Sequence, residues 1–137
     1  MKGVKRFSVS LEEELLKNID SIVRSHKFPN RSQAIRFLIR DYDVKYKWEK
    51  NKEVAGCIIL VYDHHKRDLV AKSMDIQHDY HDCILSSQHV HLDHTNCLEI
   101  IALKGKADRL RNLADRLIAL KGMKHGDLVA SGIDSRG

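Results

Sequence analysis

The segment KRFSVSL, residues 5–11, constrains the fold most, because it has the pattern of a β-strand with no second strand nearby. Phe7, Val9 and Leu11 alternate with polar residues, which predicts one apolar face and one polar face. A lone strand cannot satisfy its backbone hydrogen bonds, so it needs a partner. We therefore expect the same strand of a second chain to pair with it as an antiparallel two-stranded ribbon.

A first helix is predicted over residues 11–26. Ser10 and Glu13 have the spacing of a capping box, which would start this helix. The apolar residues that follow recur at helical spacing, at Leu11, Leu15, Ile19, Ile22 and Val23. Pro29 then restricts the residue before it to extended shapes, so the helix must end there.

A second helix is predicted from Asn30, which pairs with Gln33 as an N-cap signal, to about Trp48. A strand–helix–helix unit of about 50 residues is too small to bury a good core alone. An intertwined dimer would satisfy both the strand and the core. The polar stretch at 49–53 reads as a linker between this unit and the rest of the chain.

The remainder of the chain predicts a strand–helix–strand–strand–helix–strand order. The predicted strands lie at 54–62, 84–92, 97–105 and 126–131, and the helices at 65–82 and 106–122. Gly122 suits the C′ position of the last helix. This order is the ferredoxin-like split βαβ arrangement. The fold class is thus α+β, with domains predicted at 1–48 and 54–137.

Charge divides the chain in the same way. The net charge of +5 lies wholly in residues 1–53, while residues 54–137 are neutral and hold eight of the nine histidines. A basic segment is compatible with a polyanionic partner such as nucleic acid, but on charge alone a solvated surface is the simpler explanation.

The chain has no apolar run near the ~18 residues that a membrane span needs. It shows no signal peptide at its start. The three cysteines are odd in number and form no CxxC pair, which favours reduced thiols in a cytoplasm.

The stretch QHVHLDHTNC, residues 88–97, is the strongest candidate for a metal site. On a strand, His89 and His91 share one face about 7 Å apart, and Cys97 begins the next strand across a tight turn. His94 has the opposite parity and lies in the turn. Imidazole and thiolate together suit zinc, copper, nickel or iron, and ligand type alone does not choose among them.

Further histidines lie before this stretch. His78 and His81 are spaced to share a helix face. The pair His64–His65 could form a separate surface site, but solvated side chains are the simpler interpretation of that pair. Each single histidine is more simply an ordinary surface residue, whereas His89, His91 and Cys97 together favour metal.

Two other classes of function stay open on the residues alone. A metal-dependent hydrolase or a metal carrier would use the same histidines, with Asp79, Asp82 or Glu99 as bases. A catalytic metal keeps an open position, which four protein ligands would close. The other alternative is a DNA-binding repressor whose second half senses a small molecule.

Several segments together resemble the nickel-responsive transcriptional regulators. RFSVSL and NRSQAIR resemble their ribbon-helix-helix half, and VYDHHKRDL, QHDYHD, HVHLDHTNCLEI and KGMKHG resemble their nickel-binding half. The H-x-H-x5-C spacing, with a Gln-His pair eleven residues upstream of its first histidine, is the most specific of these features.

The resemblance implies a set of ligands for Ni(II). His89, His91 and Cys97 of one subunit and His78 of a neighbour would hold it in a planar arrangement. It also implies an ACT-like version of the ferredoxin-like fold, which assembles a homotetramer as a dimer of dimers. Gln77 and Glu99 are expected to orient the ligands from behind.

The resemblance also implies that the polar ribbon face, with Arg6, Ser8 and Ser10, enters the major groove of a palindromic operator in double-stranded DNA. Arg6 would donate to a guanine edge. The start of the second helix would hold a phosphate; its candidate residues are Asn30, Arg31 and Ser32. The protein would repress nickel-uptake genes.

The sequence departs from the family at one point. Some members carry an acidic pair near the start of the second helix that binds an alkali cation. Gln33 and Phe37 occupy the matching positions, so we do not predict that site.

Overall fold

A computed structural model describes residues 3–134 of the chain. The elements are α1 (Glu13–Ser25), α2 (Arg31–Glu49), β1 (Glu53–Tyr62), α3 (Arg67–Asp79), β2 (Ile84–His91), β3 (Cys97–Lys106), α4 (Ala107–Ile118) and β4 (His125–Ser131). The chain divides into two compact units between Tyr42 and Asp43, inside α2. No helix in this described range is both long and apolar enough to cross a membrane.

The N-terminal unit has almost no core in a single chain. Residues 3–12 form no strand, so the predicted strand over 5–11 is not observed there, because one chain supplies no strand to pair with it. Phe7 and Val9 are 73% and 57% exposed. Within 3–42, Ala34 is the one fully buried residue. The unit thus presents apolar side chains to solvent.

The two predicted helix starts had different outcomes. The capping box at Ser10 is wrong, because α1 begins at Glu13 and its N-cap is Glu12, which makes no side-chain cap hydrogen bond. The backbone of Glu12 is extended (ψ 150°), so the extended segment continues past Ser10. The cap at Asn30 is confirmed, because its Oδ1 accepts the backbone N–H of Gln33 at 2.9 Å.

The C-terminal unit contains a four-stranded antiparallel sheet in the order β2-β3-β1-β4. This confirms the predicted β-α-β-β-α-β order. Burial alternates along β1 and β3, so one sheet face lies under the helices. The largest fully buried apolar side chains come from β1, β3 and α4: Val54, Ile58, Leu60, Ile101, Leu103, Leu110, Leu113 and Leu117.

Both C-terminal helices are shorter than predicted. α3 ends at Asp79, and Met74, counted among its apolar positions, is 65% exposed. α4 ends at Ile118 with Ala119 as its C-cap. Gly122 is therefore not at C′; it lies in the turn that follows, where its φ of +96° favours glycine.

The end of α2 packs into the C-terminal unit. Trp48 is buried, and its Nε1 donates to the carbonyl oxygen of Ser131 at 2.8 Å. The Arg111 guanidinium lies 5.1 Å from the centre of the Trp48 ring. The predicted domain limits, 1–48 and 54–137 with a linker at 49–53, stay a prediction; residues 135–137 lie outside the described range.

Candidate metal centre

His91 and Cys97 are direct cross-strand partners in the β2–β3 ladder, and His89 stands opposite Glu99. Partners in a ladder share a sheet face, so the two histidines and the cysteine lie on one face, as their parity predicts. Gln88 pairs with Ile100 and lies on the opposite face. β2 is the edge strand of the sheet, which leaves the His89 side chain 53% exposed beside the buried Cys97.

Glu99 is a carboxylate at 2% exposure, and it is held by hydrogen bonds. Its Oε1 accepts from the Tyr62 hydroxyl at 2.8 Å, and its Oε2 accepts from Gln77 Nε2 at 3.1 Å. His89 Nε2 lies 3.5 Å from Oε2. Gln77 also donates to the Ser73 hydroxyl at 3.1 Å. A buried carboxylate is costly unless it is paired, so this network fixes several side chains around His89.

Tyr62 completes the row His91–Cys97–Tyr62 across three strands. Burial, with the adjacent Glu99 carboxylate, raises the pKa of its phenol well above the ordinary value. The phenol therefore stays protonated and acts as the donor to Glu99. Short sequence patterns do not indicate Tyr62 or Ser73, since the contacts of these residues depend on the β1–β3 register and the helix packing.

His78 lies in the last turn of α3, next to Gln77. Its ring is stacked with that of His81, with centroids 5.9 Å apart, although His81 follows the helix end. Within one chain, the described residues do not bring the ligand atoms of His89, His91 and Cys97 within 4.8 Å of one another, nor join His78 to them. Any closure of this set needs side-chain rotation and a ligand from elsewhere.

The turn between β2 and β3 is built on Asp93. Its Oδ1 accepts the backbone N–H groups of Thr95 and Asn96 at 2.9 and 2.8 Å. The pKa of Asp93 is lowered to about 2. The hydrogen bond from the Asn96 side-chain amide is the largest cause, and the two backbone hydrogen bonds add to it. Lys124 Nζ donates to Asn96 Oδ1 at 2.6 Å, which ties the residue before Cys97 to the segment before β4.

A further group of side chains lies beside His91. The ligand atoms of Asp63, His64 and His65 all lie within 4.8 Å of one another. The sequence indicated the histidine pair as a separate surface site but missed Asp63, which is adjacent in the chain. Burial lowers the pKa of His64, and the positive charge of neighbouring histidines lowers it further.

The predicted DNA contacts lie in the N-terminal unit. Arg6, Ser8 and Ser10 are exposed. Arg31 is exposed, and its guanidinium forms an ion pair with Asp20, to which Nε and Nη2 donate at 2.8 and 3.1 Å. The Asn30 side chain caps α2, and Ser32 is exposed in the first turn of that helix; these sequence assignments stay predictions.

The donors around the β2–β3 edge fit a borderline metal ion. His91 and Cys97 offer an imidazole and a thiol at paired positions, and His89 offers a second imidazole on the same face. His89 Nε2 lies 3.5 Å from Glu99 Oε2, and its other ring nitrogen, Nδ1, lies 3.4 Å from the Tyr62 hydroxyl oxygen. Imidazole with thiolate suits Ni²⁺, Cu²⁺ or Zn²⁺ rather than Mg²⁺ or Ca²⁺.

Comparison with known proteins assigns both halves of the chain. Residues 55–131 match the family described as the NikR C terminal nickel binding domain, and residues 5–46 match the ribbon-helix-helix proteins of the copG family. The chain belongs to the family of nickel-responsive regulators. Its C-terminal domain is therefore a nickel-binding domain, and its N-terminal domain a DNA-binding one. The family is one of regulators, so the hydrolase alternative is wrong.

Curated relatives match over nearly the whole length. A protein of Syntrophus aciditrophicus is 50% identical over 133 residues, 97% of each chain, and one of Thermococcus kodakarensis is 52% identical over 128 residues, 93% of each chain. Both carry the name "Putative nickel-responsive regulator". The uncharacterized protein TM1266 from Thermotoga maritima shares only the fold, with a TM-score of 0.53 at 14% identity over 58% of this chain and 98% of that one.

Proposed function

We propose that the protein binds one Ni²⁺ per site through His89, His91 and Cys97 of one subunit and His78 of another, and that this controls its binding to DNA. The observation that carries the proposal is the direct pairing of His91 with Cys97, with His89 on the same exposed edge. Three donors of the right chemistry thus share one face of the neighbouring strands β2 and β3, while His78 lies on α3.

A ligand from a second chain, together with rotation of the His89, His91 and Cys97 side chains, would complete the set that the single chain leaves open. Four protein ligands would close the site, as suits a sensor rather than a catalyst. In the proposed assembly, ribbon dimers pair into a homotetramer through the C-terminal domains. Exposed Phe7 and Val9 support the ribbon pairing, because they offer an apolar face to a second chain.

The metal acts at a distance from DNA, so it must favour one conformer over another. Ni²⁺ at the subunit interface would order the end of α3 and the loop after it, and so bias the two ribbons towards a spacing that the half-sites of a palindromic operator accept. Arg6, Ser8 and Ser10 would read bases, while the start of α2 at Asn30, Arg31 and Ser32 would hold a phosphate.

The regulated genes are proposed to be those of nickel uptake, repressed when Ni²⁺ is abundant. We further propose a cytoplasmic location, which the three free cysteines support, since thiols persist in a reducing compartment.

A gel shift with a promoter fragment from beside a nickel-uptake gene tests the proposal. We expect retardation with Ni²⁺, loss of retardation with a chelator, and weaker retardation with Zn²⁺. Cys97→Ala should lose the nickel response while size-exclusion chromatography still shows a tetramer. Cys57→Ala is the matched control, because Cys57 lies on β1 outside the proposed ligand set. Binding that ignores metal would contradict the proposal.

A further inference from the structure

One arginine of α4 holds the chain just beyond the end of α3. Arg109 Nη2 donates to the backbone carbonyl oxygen of Asp79 at 2.9 Å, and Arg109 Nε donates to the Asp82 carboxylate at 3.0 Å. Nη2 also donates to the second oxygen of that carboxylate, so the pair is bidentate. Asp79 and Asp82 are the first and the fourth residue after His78, the proposed nickel ligand on this helix. These contacts therefore hold the segment that follows His78 and involve no atom of the His78 ring.

The carbonyl oxygen of Asp79 belongs to the C-terminal end of α3. The last four carbonyl groups of a helix lack a partner inside it, and the negative end of the helix dipole favours a cation. Arg109 supplies both a hydrogen-bond donor and a positive charge at this end. Because His78 lies in the same last turn, the position of its backbone depends on how this end is held.

Tyr80, the C-cap residue of α3, is held by the same face of α4. It is buried, and the Arg109 guanidinium carbon lies 4.5 Å from the centre of its ring. The guanidinium carbon of Arg116, about two helical turns further along α4, lies 5.6 Å from that centre. A guanidinium this close to an aromatic ring is attracted to its π face. Two arginines on one face of α4 thus hold the residue that ends α3.

The pair of Arg109 with Asp82 gives direction rather than stability. The two side chains are 40% and 57% exposed, so their ion pair alone contributes little to the free energy of folding. The bidentate geometry fixes the plane of the guanidinium, because two parallel hydrogen bonds must be satisfied together. Arg109 thus orients the segment on one side of His78 in the chain, while Gln77, bonded to the buried carboxylate, is fixed on the other.

We propose that Arg109 is a positioning residue for nickel binding, which keeps the end of α3 where His78 can reach the site of a neighbouring subunit. The inference rests on the proposed function, because it takes His78 as a nickel ligand. A ligand on a loosely held turn must be ordered when the ion binds, and the cost of that ordering is subtracted from the binding free energy. Arg109 lowers this cost by ordering the turn beforehand.

The test replaces Arg109 by methionine in the full chain and measures Ni²⁺ affinity by competition with a chelator. Methionine keeps an apolar side chain beside Tyr80 but removes the three hydrogen bonds and the charge. We expect Arg109→Met to lower the affinity by about 10-fold, as changes behind a metal ligand do. In the metal-free variant, the backbone amides of residues 79–83 should exchange faster than in the parent.

Asp82→Ala removes the same ion pair from its other side, at an exposed position outside the helices. It should also lower the Ni²⁺ affinity, which keeps the proposal testable if Arg109→Met does not fold. Circular dichroism checks that each variant keeps its helix content. Parent-like affinity in both variants would overturn the proposal.

Arg111→Met is the matched control on the same helix. Arg111 makes the same three kinds of contact, to the Trp48 carbonyl oxygen, to the Asp108 carboxylate and to the Trp48 ring, and both Trp48 contacts lie at the end of α2. This variant should bind Ni²⁺ as the parent does. A loss as large as that in Arg109→Met would contradict a positioning role, because it would show a general effect of helix packing.

A double-mutant cycle with His78→Ala separates positioning from a purely structural role. His78→Ala alone should weaken Ni²⁺ binding, and adding Arg109→Met to it should cause no further loss, since the turn then carries no ligand to position. A further loss of the same size would refute the proposal, because Arg109 would then act without His78. If His78→Ala alone binds Ni²⁺ as the parent does, the ligand assignment itself fails, and this inference fails with it.

Discussion

Gln77 on α3 donates through Nε2 to the Glu99 carboxylate on β3 at 3.1 Å. This bond joins the helix turn that carries His78 to the residue that stands opposite His89. Within one chain, the carboxylate beside His89 is therefore linked through Gln77 to the helix turn whose His78 is proposed to serve a neighbouring subunit's site. We therefore expect a substitution of Glu99 to affect the position of the α3 turn, and a substitution of Gln77 to affect the surroundings of His89.

Replacing Glu99 by glutamine tests this link. Glu99 accepts from two donors, and a glutamine side chain has only one acceptor oxygen, so one donor would face an N–H₂ group. We expect Glu99→Gln to weaken Ni²⁺ binding by about 10–100-fold, measured by competition with a chelator. Glu53→Gln, an exposed glutamate at the start of β1, should bind Ni²⁺ as the parent does.

Hydrogen exchange tests whether Ni²⁺ orders the helix that carries His78. Backbone amides of residues 65–82 should exchange more slowly in the Ni²⁺ form than in the metal-free form, because a ligand holds the last turn of α3. Amides in the central strand β1 should change little, which makes them an internal reference. Equal protection of 65–82 in both forms would count against metal-driven ordering.

Nickel affinity should fall in acid. The imidazoles and the Cys97 thiol must lose protons to bind, so affinity declines as the pH drops. Calorimetric titrations between pH 8 and pH 5 would check this and should show proton release on binding. Affinity that stays constant over this range would argue against histidine ligands.

The Asp93 turn predicts a separate acid effect on stability. A carboxyl whose pKa is lowered on folding stabilises the native state above its unfolded pKa of about 3.8, and this is lost as pH falls through about 2. Asp93→Asn should therefore melt at a lower temperature than the parent near neutral pH, with the gap narrowing between about pH 4 and pH 2. A gap that stays constant across this window would refute the assignment.

The sequence pattern was sufficient to predict those features that depend only on residues close together in the chain. Strand parity put His89 and His91 on one face, and the short connection over 92–96 put Cys97 opposite His91. Asn30 was found as a cap because its bond to Gln33 spans only three residues.

Features that depend on packing or on competition between local structures were missed. Tyr62 reaches Glu99 only because of the β1–β3 register, which no short pattern reports. Ser10 was assigned both to an alternating strand and to a helix cap, but α1 begins only at Glu13, after an extended Glu12. The strand over residues 5–11 requires a ladder that one chain does not supply.

The optical spectrum of the Ni²⁺-loaded protein tests the central assignment most directly, because it reports both thiolate ligation and planar geometry. We predict an intense sulfur-to-nickel charge-transfer band together with the weak visible band of planar Ni²⁺. Both should vanish in Cys97→Ala and persist in Cys57→Ala. A wild-type spectrum with only the weak bands of six-coordinate Ni²⁺, or a charge-transfer band that survives Cys97→Ala, would contradict the proposed ligand set.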